Sequence, residues 1–310
     1  MVPSTSFAQL EQNDISVISD PEIPGPYEGV VVTLQSYTYD LDQALITWKT
    51  NGQVTLTGIG EKSFSFQTKG IGEATTIEVT IAIDGEKIVK RITTKPGAVD
   101  LLWQAVDSYT PPFYKGKALP SSEGLVKIVA LPNFNTNGKI TSSKNTLYAW
   151  KRNYTALPGL SGYGKQSITI KMNYLSNQEN ISLESTDPND GSNAKANIAL
   201  RTFNPKIIFY ERDSVLGTKY NTALTQGVTI SESDKMIVAE PYFVSPNYPL
   251  SGDLNYTWSI NGNTIPTPER KNAIILRRGE QTGIATLKID ITSVSKLFLE
   301  VSKSLNIRLE

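Results

Sequence analysis

A strand that carries a tryptophan and reaches an asparagine two spacers later occurs three times in this chain, and that repetition constrains the fold more than any other feature. "ALITWKTNG" runs from Ala44 to Gly52 and "NYTWSING" from Asn255 to Gly262. Both end in Asn-Gly, the pair that most readily supplies the two positive φ angles of a type I′ hairpin turn. The residues before the turn alternate, with Ile46 and Trp48, or Tyr256, Trp258 and Ile260, on one face, as a half-buried strand requires. The third copy, "LYAWKRNYT" from Leu147 to Thr155, keeps Trp150 and Asn153 but has Tyr154 where Gly is expected. Its turn is therefore expected to be longer or of another type.

Trp48, Trp150 and Trp258 lie 102 and 108 residues apart. Self-similarity at about one domain length indicates tandem modules rather than a short-period solenoid. A second pair of segments agrees: "LWQAVDSYTPPFYKGKAL…VKIVALPNF" (Leu102 to Phe134) resembles "FYERDSVLGTKYNTAL…KMIVAEPYF" (Phe209 to Phe243). Short alternating runs, such as Ile77, Val79, Ile81 and Ile83 before Asp84-Gly85, are separated by Gly, Asn, Asp and Pro, and no amphipathic helix of useful length is present. The reading is all-β, with three β-sandwich domains in tandem. Residues 1–20 form a flexible lead-in, or an edge strand at "DISVIS", and the modules occupy 21–97, 98–204 and 205–310. Pro96-Gly97 and Asn204-Pro205 leave very short linkers, which predicts an elongated, semi-rigid rod. In each module the tryptophan is expected to be a core pin, by its parity with the neighbouring apolar residues.

Composition removes most chemistry. The 310 residues are 39% hydrophobic and 19% charged, enough apolar surface for packed cores. Thirty basic and thirty acidic residues balance, so bulk charge does not point to nucleic acid or an anionic membrane. Histidine and cysteine are both absent. That excludes disulfides, thiolate nucleophiles, His general bases, and Cys or His metal and haem sites. No apolar run reaches the roughly 18 residues of a membrane-spanning helix. "TSFAQ", Thr5 to Gln9, has small residues at Ser6 and Ala8, as a signal peptidase reads, and predicts an exported protein whose signal peptide has been removed.

The layout "PGPYEGVVVTLQSYTYDLDQALITWKTNGQ…GIGEKSFSFQTKGIGEATTIEVTIAIDG" resembles bacterial immunoglobulin-like and PKD-like surface modules. In those, a Pro/Gly lead precedes the first strand, a Trp strand and Asn-Gly turn follow, and a Gly-rich loop leads to the last hairpin. The likeness is best in the first module and extends to the others through their Trp strands. "VDLLWQAVDSYTPPFYKGKALPSSEGLVKIVALPNF" is further similar to exported bacterial proteins of several such domains. The resemblance implies three immunoglobulin-like domains and an extracellular, cell-surface location.

Three segments are candidate sites. "GLSGYGKQ", Gly159 to Gln166, has the glycine spacing of a phosphate-binding loop, but Gln166 stands where a hydroxyl is needed and "SITIKMNY" continues as a strand. It reads as a loop between strands. "STDPNDGSN", Ser185 to Asn193, offers Asp187, Asn189 and Asp190 before Gly191, a weak calcium candidate that turn chemistry alone also explains. "DSYTPPFYKGKALPS", Asp107 to Ser121, sets Tyr109, Phe113 and Tyr114 around two prolines, with Lys115 and Lys117 following. Rigid aromatic loops anchor protein partners or stack on sugars; the alternative is that these rings cover a sandwich edge or the junction with the first module. The expected function is a non-enzymatic stalk, adhesin or surface-assembly component that binds a protein partner, a surface glycan or another copy of itself, without cofactor or metal. A carbohydrate-binding accessory protein with an aromatic face is the second reading.

Overall fold

The computed structural model describes residues 14–136, 139–231, 234–277 and 282–310. The chain is all-β, as the alternation predicts, and no α-helix occurs among the described residues. Among the described residues no helix is long and apolar enough to cross a membrane. By contacts it divides into two compact units: one takes in residues up to Leu101, Ala130–Gln166 and Ser182–Ile198, the other Leu102–Val129, Ser167–Ile181 and Ala199–Glu310.

In the first unit, a sheet ordered Ile15–Asp20, Gly29–Ser36, Ser63–Gln67 shares a core with a second ordered Gln53–Ile59, Leu45–Thr50, Thr75–Ile83, Glu86–Thr94. Val30, Val32 and Leu34 from one sheet meet Ile46, Trp48, Ile77, Val79 and Ile81 from the other. Trp48 is fully buried and stacks on Phe64, with ring centroids 5.4 Å apart. Of the two readings of residues 1–20, the edge strand at "DISVIS" is the one seen: Ile15–Asp20 pairs antiparallel with Gly29–Ser36, with Ile15 and Val17 alternating toward the core. Residues 1–13, with Ser6, Ala8 and Gln9, lie outside the described residues. Gln53–Ile59 is not read from the sequence: Val54 and Leu56 alternate, but Gly58 interrupts the pattern, Ile59 falls out of phase, and the strand is largely exposed. In the same unit Trp150 is buried on the strand Leu147–Arg152 beside Tyr148.

In the second unit, a sheet ordered Gly217–Ala223, Lys206–Asp213, Lys235–Tyr242, Ala273–Leu276 closes over a sheet ordered Val228–Ile230, Glu300–Leu309, Gly283–Ser293, Leu254–Ile260, Asn263–Ile265. Phe209, Trp258, Leu287, Ile289 and Ile291 form the centre of that core. Pairing is antiparallel except that Val228–Ile230 runs parallel to Ile307–Leu309.

Each indole also satisfies its N–H in the same way. Trp48 Nε1 donates to Glu61 O at 2.8 Å, Trp150 Nε1 to Lys165 O at 2.9 Å, and Trp258 Nε1 to Lys271 O at 2.9 Å, carbonyls 13, 15 and 13 residues further on. A buried indole without a partner for its polar tip loses a hydrogen bond to water, so the segment after each turn must return to it. The Asn of the turn is bracketed alike in two copies: Asn51 Oδ1 accepts from Thr76 N and Asn261 Oδ1 from Thr286 N, each 25 residues apart. The repeated letters are thus a repeated structure.

The third turn corrects the sequence reading. Asn51 and Gly52 have φ of 50° and 87°, Asn261 and Gly262 50° and 83°. Asn153 and Tyr154 have φ of 47° and 68°, and Lys151 and Arg152 pair with Ala156 and Thr155, so the two-residue turn is retained with Tyr in the left-handed region. The hairpin pairing on both sides and Asn153 before it force that backbone, and the Tyr154 ring points into solvent, 93% exposed.

Candidate functional site

The aromatic loop is built at the start of the second unit. Asp107 Oδ1 accepts from Leu125 N at 2.7 Å and Ser108 Oγ donates to Leu119 O at 2.6 Å, which pins both ends. Tyr109 N–H donates to Val244 O at 2.8 Å and Phe243 N–H to Tyr109 O at 2.7 Å, so the loop backbone is stitched to the residues after the strand Lys235–Tyr242. Asp107 Oδ2 accepts from Lys296 Nζ at 2.8 Å and from Ser245 Oγ at 2.5 Å, while Lys296 Nζ also donates to Ser245 Oγ. Ser245 is buried and its hydroxyl is held between Asp107 and Lys296, so the three side chains clamp the loop to the residues after the strand.

The side chains divide by exposure. Tyr109 packs against the core of the second unit and its hydroxyl donates to Glu240 Oε2 at 3.2 Å; Tyr220 donates to Glu240 Oε1 at 2.9 Å. Glu240 is buried, and burial raises its pKa against the lowering effect of the two hydroxyls. Burial, then the Glu240 charge, pushes the Tyr220 hydroxyl up to about 12. Tyr114 stands edge-on to Tyr242 and Phe243, both at 5.8 Å, and Gly116 leaves room for its ring: a Cβ there would come within 2.4 Å of the Tyr114 hydroxyl oxygen. Lys117 Nζ sits 3.3 Å over the Trp103 ring, and burial lowers its pKa. Lys115 faces solvent.

Phe113 differs. Its ring is 85% exposed, its backbone is left-handed with φ of 64°, and it leans on Tyr220 at 6.0 Å. With Leu216, Thr218, Tyr220 and Thr222 it lines an open groove of about 610 Å³ along Gly217–Ala223, the edge strand of its sheet. Of the five candidate residues, then, Tyr109, Tyr114 and Lys117 are engaged within the protein, and Phe113 and Lys115 face outward. The loop packs on residues 206–243, including the edge strand Gly217–Ala223; of the two surfaces the sequence reading offers for it to cover, a sandwich edge or the junction with the first module, these contacts are with the edge. Trp103, Tyr220 and Glu240 were not singled out from sequence. The Asp-Ser pairs were a signal for part of this, since Asp213 caps the turn before the edge strand by accepting from Val215 N and Leu216 N.

The other two segments are turns in the first unit. Asp187 is buried; its Oδ1 accepts from Asn189 N at 3.0 Å and Asn189 Nδ2 at 2.8 Å, and its Oδ2 from Thr141 Oγ1. Asp190 pairs with Lys95 at 2.5 Å and accepts from Ser192 N at 2.9 Å. The carboxylates of this segment are taken up by protein donors, and Gly191 at φ 74° completes the turn. After "GLSGYGKQ" the chain enters the strand Ser167–Lys171, so no helix N-terminus faces the glycines.

Antiparallel sheets closed over Trp-centred cores define an immunoglobulin-like β-sandwich protein of several modules. No family model and no curated protein matches the sequence. Among solved structures, it is similar to three N-terminal domains of the bacteriophage RB49 highly immunogenic outer capsid protein (10% identity, 96% of this chain and 98% of that one, TM-score 0.27). It is also similar to fibronectin(III)-like modules of Clostridium thermocellum CbhA (11% identity, 60% and 94%, TM-score 0.28) and to Sidekick-1 immunoglobulin domains 1–5 (10% identity, 96% and 59%, TM-score 0.24).

Proposed function

We propose that this chain is a non-enzymatic, exported cell-surface protein whose modules, 21–97, 98–204 and 205–310, act as a stalk that carries an adhesive aromatic loop. The observation that carries this is Phe113: an apolar ring left open to solvent on a loop whose ends and neighbouring rings are fixed. A ring presented this way has little freedom left to lose on association. The edge strand beside it, Gly217–Ala223, offers backbone groups that another chain can pair with, so the partner is a protein and a second copy is the first to test. The absence of His and Cys, and a Ser245 hydroxyl that is buried and committed to Asp107, support a role outside catalysis.

Location and adhesion are tested separately. An antibody to the purified chain is expected to label intact cells that make it, and labelling only after permeabilisation would refute the surface reading. Association in solution is expected to weaken on Phe113→Ala without a change in melting temperature.

A further inference from the structure

The second unit holds another groove, of about 660 Å³, that begins where the aromatic-loop segment ends and is lined by Ser122, Tyr174 to Asn177 and Thr202 to Asn204. That volume lies within the roughly 300–1,000 Å³ of small-molecule sites. Its banks are tied together: Thr202 N–H donates to Asn177 O at 3.0 Å, and Phe203 N–H to Pro120 O at 2.8 Å. One face of the Tyr174 ring is covered by Phe298, stacked at 4.7 Å and 8°, which fixes its plane while 49% of the residue stays exposed. Phe203 is 41% exposed. Among the described residues no hydrogen bond engages the side-chain amides of Asn177 and Asn204, both exposed.

The chemistry of this lining selects a ligand. None of its residues is charged, so it offers no ion pair to an anion or a cation. A carboxamide both donates and accepts, as a sugar hydroxyl does, and the hydroxyls of Ser122 and Thr202 add the same dual character. The Tyr174 ring, held by Phe298, and the exposed Phe203 ring offer flat apolar faces to the C–H face of a pyranose. A peptide would find no partner for a charged side chain among these lining residues. We infer that this groove is a binding site for a neutral carbohydrate, with Tyr174 and Phe203 as stacking platforms and Asn177 and Asn204 as hydrogen-bonding groups.

Phe113 is not part of this lining, and affinity electrophoresis of the full chain separates the two sites. The probes are a mixed-linkage β-glucan, a xylan and a galactomannan in the gel, with alginate as the acidic counterpart. Retardation by at least one neutral polysaccharide is expected, weakened by about tenfold or more in Tyr174→Ala and in Phe203→Ala and by a smaller factor in Asn177→Ala and Asn204→Ala. Phe113→Ala is expected to leave it unchanged. No retardation by any neutral probe, retardation by alginate alone, or retardation that survives both aromatic substitutions would overturn the inference, and so would its loss in Phe113→Ala. If Tyr174→Ala lowers the melting temperature by releasing Phe298, the Asn177→Ala/Asn204→Ala double variant decides, because neither amide holds the fold.

Discussion

Tyr154 shows how a single residue can be kept against its local preference. Its two counterparts are Gly52 and Gly262, and its ring, 93% exposed, finds nothing to offset the left-handed backbone at φ 68°. Tyr154→Gly is therefore expected to stabilise the protein by about 1 kcal/mol in chemical denaturation, the order of the steric cost of that region for an L-residue; a loss of stability would mean the ring has a role in the fold. The tryptophans are the opposite case. Trp48→Ala and Trp258→Ala each empty a large core site and orphan a carbonyl, and each is expected to cost about 3–5 kcal/mol. Variants that melt like the parent would contradict the core assignment. The tryptophan positions were legible in sequence because strand parity is strict at period two; the Tyr154 backbone was not, because propensity argued for a different turn and the hairpin's cross-strand pairing overrode it.

At the scale of an element, the loop Asp107–Ser121 works as a lock with one open ring. Tyr109→Phe leaves buried Glu240 with one hydroxyl donor fewer, and is expected to cost about 1–3 kcal/mol. Phe113→Ala is expected to stay within about 0.5 kcal/mol of the parent. Glu240 should also be visible in the pH dependence of stability. Burial raises its carboxyl above the ordinary 4.5, opposed by the Tyr220 and Tyr109 hydroxyls and by Arg270 and Arg212. The folded state thus holds the proton to higher pH than the unfolded chain. The group's contribution is most favourable below 4.5 and is lost as pH rises through the raised value. Glu240→Gln removes that loss, so its stability relative to the parent is expected to improve from about pH 4 to about pH 7; a constant difference across that range would mean Glu240 ionises in the fold as it does unfolded. The loop was found from sequence by its density of rings between prolines. What it touches was not, since Tyr109 meets Glu240 across 131 residues and no local pattern announces that contact.

For the whole molecule, the chain writes one Trp-centred sandwich repeatedly and varies what it hangs on it. The periodicity of the core survives in every copy, while the distinctive residues sit on turns and loops: Tyr154 on a hairpin, Phe113 on the pinned loop, Tyr174 and Phe203 beside a groove. Cores are read from alternation, and projections only from what packing leaves uncovered, which is why the fold was legible and the division of the aromatic loop into lock and contact was not. The central claim is that this protein acts by a fixed aromatic projection rather than by a reactive centre. Sedimentation equilibrium of the parent and of Phe113→Ala, over a range of concentrations and with melting temperatures measured alongside, tests it most directly. The account predicts that the parent's mean mass rises with concentration and that the variant stays monomeric with an unchanged melt. Identical sedimentation of the two, or association lost only together with folding, would contradict it.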